Sequence, residues 1–218
     1  MTKLDETTEA AATPVEHALR YVTEQHWDVS PGTWLEPTGG ALRCSCGSTA
    51  CATPGAHPAR PRWAEEATGS PRTARALWSE HPRASVLLPT GRTFDVLDVP
   101  ESAGCLALAR MERLGATPGP VAATPSGRLL FFALPGTARK APPLLRRTGR
   151  TADALDLTTH AEDDWVPAPP TRVGHRGAVQ WVRRPSTGNR RLPDADDLVA
   201  PLAYACGHGA PYIVGGLD

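Results

Sequence analysis

Three cysteines and a histidine fall within fourteen residues, as Cys44, Cys46, Cys51 and His57, in a stretch broken by Gly47, Pro54 and Gly55. Tetrahedral zinc takes four thiolate or imidazole ligands converging on one point, and short spacings with glycine between them allow a loop to fold back that tightly. A Cys3His set leaves no position open for water, so the expected metal is a structural zinc. Unpaired surface thiols beside an incidental histidine, or a disulfide, are the competing readings. Cys105 and Cys206 lie far from the cluster and are expected as small core residues.

At 218 residues the chain suits one sizeable core with terminal extensions. With 23 Pro and 20 Gly, it predicts many turns and short elements. Its formal net charge is +0, which excludes a protein binding nucleic acid through a global positive field. Any such binding must be local, and between Arg139 and Arg191 eleven Arg or Lys stand against five Asp or Glu. The pairs Arg139-Lys140, Arg146-Arg147, Arg183-Arg184 and Arg190-Arg191, with Trp165 and Trp181 nearby, could meet phosphates and bases, or form a solvated surface. No apolar run is long enough to span a membrane. The polar, acidic beginning MTKLDETTEAAATP is unlike a signal peptide, so a cytoplasmic, reducing location is expected.

After a flexible leader, 1–14, apolar residues Val15, Leu19 and Val22 predict a helix over 15–27. A short strand is expected over 33–36. Ser70 followed by Pro71 reads as the start of a second helix that ends before Pro82. The runs 84–89 and 93–99, around Thr90-Gly91-Arg92, predict a hairpin. A helix over 102–114 closes at Gly115. Strands are expected over 120–124, 127–134 and 154–157, the first two joined at Pro125-Ser126-Gly127, and a last helix over 194–204. The fold class is therefore α+β with a mostly antiparallel sheet.

Asp98 ends an apolar strand that also carries Asp95. Carboxylates that share a metal must lie on one face, hence at alternate strand positions, and Asp95 and Asp98 point to opposite faces. The alternate position after Asp98 is Pro100, which has no ligand atom. Asp98 as a strand-end cap or salt-bridge partner is the other reading.

The order of these parts resembles the N-terminal Prim-Pol domain of bifunctional DNA primase/polymerases, in the archaeo-eukaryotic primase superfamily. The resemblance is carried by the opening helix from Ala18 to Trp27, the Cys-x-Cys loop ending Pro54-Gly-Ala-His-Pro58, Trp63 with Ala67-Thr68, and the helix bearing Trp78. It continues through Leu88-Pro-Thr-Gly91, Val96-Leu-Asp98, Thr124-Pro-Ser-Gly-Arg-Leu-Leu-Phe-Phe132, Leu155-Asp156-Leu157 and Pro167-Ala-Pro-Pro-Thr171. It implies a domain over 15–171 and leaves 172–218 as a Pro/Arg-rich extension with a possible last helix.

The resemblance further implies catalytic carboxylates at Asp98 and Asp156 and nucleotide contacts from Ser126 and Arg128. It also implies Mg or Mn if the site is active, with DNA, nucleoside triphosphate and replication or regulatory proteins as partners. The chain departs from the family pattern twice: Pro100 stands where a second aspartate is usual, and Leu129 where a histidine is usual. These departures imply weak or lost nucleotidyl transfer, that is, a pseudoenzyme. The alternatives are a non-catalytic interaction or regulatory module on the same scaffold, and an active primase that uses Asp95 or Glu101 instead.

Overall fold

The computed structural model describes residues 12–186 and 192–209. Most of the expected flexible leader, 1–14, and the pair Arg190-Arg191 lie outside the described residues. Helix α1, Pro14–Arg20, widens into a π-helical turn over Tyr21–Gln25. It stops at His26, whose φ of 57° is left-handed, so the helix ends before Trp27. Strand β1 (Ser30–Gly32) follows, then the hairpin of β2 (Leu35–Thr38) and β3 (Ala41–Cys44), turned by Gly39-Gly40. The expected strand over 33–36 thus begins later and runs further.

After a short α2 (Trp63–Glu66), α3 (Pro71–Glu80) starts as the sequence predicts, with the Ser70 hydroxyl accepting from the Thr73 amide at 3.4 Å. Then come β4 (Ser85–Pro89), β5 (Asp95–Pro100) and α4 (Glu101–Arg113). Strands β6 (Val121–Thr124) and β7 (Arg128–Ala133) lead to α5 (Thr137–Arg147). The last elements are β8 (Thr158–His160), β9 (Trp165–Pro167), β10 (Gln180–Arg183) and α6 (Ala195–Gly209).

Among the described residues the strands form a sheet ordered β1-β4-β9, a sheet ordered β10-β6-β7-β5-β8, and the β2-β3 hairpin, all antiparallel. The fold is mixed helix and antiparallel sheet, and no described helix is long and apolar enough to cross a membrane.

The expected hairpin of 84–89 with 93–99 does not form, because each strand lies inside a different sheet, paired on both edges. β4 pairs with β1 and β9, and β5 with β7 and β8. Between them Thr90 donates its amide to Asp164 O at 2.9 Å instead of closing a ladder. Gly91, at φ 93°, lies so close to the Glu162 backbone that a Cβ would sit 2.4 Å from its nitrogen.

The expected strand over 154–157 is also absent. Asp153–Leu155 forms a 3-10 turn and Asp156 takes a left-handed φ of 49°. Leu155 and Leu157, whose alternation reads as a strand, both enter one core because the turn brings them to the same side.

The inner strand β5 sends apolar side chains to both faces, as a strand covered on both sides must. Val96 shares a core with Trp27, Phe94 and Phe132, in which the Trp27 and Phe132 rings stack at 5.2 Å. Trp181 packs half-buried against this core, 5.3 Å from Phe132. Leu97 and Val99 face the second core, beneath α4, α5 and α6, with Leu129, Phe131, Met111, Leu145, Leu198 and Leu202. Gly104 lets α4 settle there, since a Cβ would meet Leu129 at 2.7 Å. From the stretch 172–218, β10 pairs with β6, while α6 packs against α4 and α5.

Candidate functional site

Two clusters of potential ligands stand on this scaffold. The first begins where β3 ends at Cys44. The loop beyond folds back so that the ligand atoms of Cys44, Cys46, Cys51 and His57 all lie within 4.8 Å of one another. Cys44 Sγ is 3.4 Å from His57 Nε2. Zinc bonds of about 2.3 Å to sulfur and about 2.0 Å to nitrogen need only a small further closure.

The surroundings fit a metal centre. His57 Nδ1 lies 3.1 Å from Pro58 O, and a proton donated there leaves Nε2 as the ligating nitrogen. The Gly55 amide donates to Cys44 Sγ at 3.3 Å. The Thr33 amide donates to His57 O at 2.8 Å, tying the loop to the end of β1. Burial alone would raise the Cys44 thiol, but hydrogen bonds from Thr33, Cys46 and Gly55 outweigh it and bring it down to about 6. Burial pushes Cys51 up to about 11, with Cys44 and Cys46 adding to the effect. These four residues could hold a metal such as zinc. Of the other cysteines, Cys206 is buried as expected, whereas Cys105 is exposed on α4.

The second cluster lies at the end of the five-stranded sheet. Pro100 pairs with Arg128 and Asp98 with Leu130, so Arg128 sits diagonally across from Asp98 on the same face. Arg128 Nε donates to Asp98 Oδ1 at 2.6 Å, while its Nη1 meets Asp156 Oδ2 at 2.8 Å. Its Nη2 reaches the backbone oxygens of Asp98 and Asp156 at 3.1 and 3.0 Å. The left-handed turn at Asp156 is what brings that carboxylate and carbonyl to one guanidinium.

Asp98 Oδ2 faces His160 Nε2 at 3.4 Å, and His160 Nδ1 contacts Asp164 Oδ2 at 2.7 Å. Burial would lower the His160 pKa, but Asp164 and Asp98 hold its proton and push it up to about 9, so the imidazolium is present at neutral pH. Burial likewise works against the Arg128 cation, yet Asp156 and Asp98 raise its pKa. Charges therefore alternate along Asp156, Arg128, Asp98, His160 and Asp164.

A two-metal centre needs carboxylate oxygens open to cations about 3.5–4 Å apart. Here both Asp98 oxygens already face a cation of the chain itself, and Pro100 offers no second ligand. Leu129 is 1% exposed and packs under Gly104, on the face opposite Asp98. Asp95 is also on that opposite face, 1% exposed, accepting from the Ala138 amide at 2.9 Å at the start of α5. Glu101 is exposed at the start of α4. Ser126 lies at the exposed β6–β7 turn, 2.8 Å from the Thr124 hydroxyl. No sequence pattern singles out His160 or Asp164, since only the β5–β8 register brings His160 to Asp98.

The sequence profile for the N-terminal Prim-Pol domain of bifunctional DNA primase/polymerases matches residues 18–197. No curated protein matches the chain.

Proposed function

The chain belongs to the Prim-Pol family, with the primase/polymerase-like, replication-type function that family implies, and from this premise we propose a nucleic-acid- or nucleotide-binding protein whose nucleotidyl transfer is weak or lost. The observation that carries this reading is Arg128 bridging Asp98 and Asp156. A guanidinium donor fills the coordination that divalent metals would need, yet leaves a partly exposed cation suited to a phosphate. In this reading Asp98 and Asp156 are the remnants of the catalytic pair, and Ser126 and Arg128 are the nucleotide contacts. Mg or Mn would act there only if catalysis survives.

The cysteine loop holds structural zinc in this reading, fastening a long loop to the β1-β4-β9 sheet without taking part in chemistry. Thiols serving as metal ligands rather than disulfides would suit a reducing cytoplasm, the proposed location.

Primer synthesis on a single-stranded template with Mg or Mn tests the proposal. Little or no extension is expected, beside measurable binding of labelled DNA or nucleoside triphosphate. Efficient extension that disappears in Asp98→Ala and Asp156→Ala would restore an active primase; extension surviving both would remove the site assignment.

The non-catalytic interaction or regulatory module remains the second reading, favoured by the same neutralised carboxylates. It predicts no dependence of DNA retention on log salt.

A further inference from the structure

From Arg113 to Ala152 the chain carries seven Arg or Lys and no Asp or Glu, within a protein whose formal net charge is +0. The centre of this stretch is α5. It buries Thr137, Ala141 and Leu145 against the second core and turns Arg139, Arg146 and Arg147 to solvent. Arg139 and Arg146 are two helical turns apart, so they lie one above the other at about 10 Å, roughly three nucleotide steps of a strand.

Among the described residues Lys140 is the only cation of α5 in an ion pair, with Asp194 at 2.8 Å. Elsewhere Arg60, Arg62 and Arg83 are each matched by a glutamate, while Arg72 and Arg75 on α3 are exposed with acidic residues nearby in sequence only at Glu65, Glu66 and Glu80. Arg150, just beyond α5, is packed against Gly207, where a side chain would overlap its guanidinium. The chain then runs directly into the 3-10 turn that delivers Asp156 to Arg128.

We propose that Arg139, Arg146 and Arg147 on α5, with Arg150, form a binding track for the phosphate backbone of nucleic acid that leads toward the Asp98–Arg128–Asp156 site. The proposal rests on the nucleic-acid-binding reading above and gives that reading a surface. Backbone phosphates carry no sequence information, so a track that binds through them is expected to be indifferent to sequence. The exposed Pro142 and Pro143 between the arginines carry no donor, which leaves the charge to do the binding.

Full-length wild type, Arg146→Gln/Arg147→Gln and the control Arg72→Gln/Arg75→Gln, on the exposed side of α3, are compared by anisotropy with a short labelled single strand between about 50 and 200 mM salt. The α5 variant is expected to lose about 1.4 units of the log–log salt slope, equally on two unrelated sequences, while the control keeps it. Arg139→Gln, away from the helix C-terminus and so neutral for its stability, is expected to lose about 0.7. Circular dichroism melts show whether each variant is folded.

Wild-type binding with an unchanged slope in both α5 variants overturns the track and leaves the nucleic-acid reading standing. A wild type without any slope overturns both. Retention on phosphatidylserine vesicles but not on DNA overturns the track in favour of a lipid surface.

Discussion

The cysteine loop and the end of the five-stranded sheet both gather ligand-type side chains, but they balance charge in different ways. Cys44, Cys46, Cys51 and His57 converge without a fixed positive charge among them, and their thiols are driven apart, one toward ionisation and one away from it. Asp98, Asp156 and Asp164 instead interleave with Arg128 and a protonated His160. If the proposed roles hold, donor type alone does not make a metal site, and what decides is whether the fold supplies its own counter-charge.

The largest effect that could break this contrast is at the cysteine loop. Cys44→Ser is expected to release zinc and lower stability by on the order of 3–5 kcal/mol, about 10 °C in Tm, read by metal analysis and thermal melts. Unchanged melting would show that the loop needs no metal.

The next concerns His160. Its folded pKa of about 9 exceeds the ordinary 6.5, so its contribution is fully present below about pH 6.5 and is lost as pH rises through 9. The loss is on the order of 3 kcal/mol, measured by urea unfolding across that window, and His160→Gln is expected to flatten the profile.

Arg128→Ala comes third, at about 2 kcal/mol, because it removes the nearest cation from a carboxylate only 15% exposed. It also sharpens the comparison: Mn is expected to raise the Tm of this variant but not of wild type. The smallest effect is Asp156→Asn, under about 1 kcal/mol, since that carboxylate is 69% exposed and its pair with Arg128 is screened by solvent.

The sequence was most legible where the physics is local. Ser70-Pro71 states a helix start on its own, and the cysteine cluster needs only a fourteen-residue loop to close. The turn at Pro125-Ser126-Gly127 could likewise be read from its neighbours. The Thr90-Gly91-Arg92 turn was misread because its partners, Ala161 and Asp164, lie far along the chain.

Helix α5 was missed because Pro142-Pro143 argues against a helix interior, while burial of Ala141 and Leu145 overrides that preference. His160 was unreadable for a related reason: it meets Asp98 across 62 residues, through a strand register no local pattern encodes. The alternating charge of the sheet site is thus a tertiary property, while the cysteine loop is nearly a sequence property.

The most direct test of the self-neutralised carboxylate site is calorimetric titration of Mn into the zinc-loaded wild-type protein. No saturable Mn site is expected. One or two tight Mn sites that vanish in Asp98→Asn would contradict it and return the chain to the catalytic members of its family.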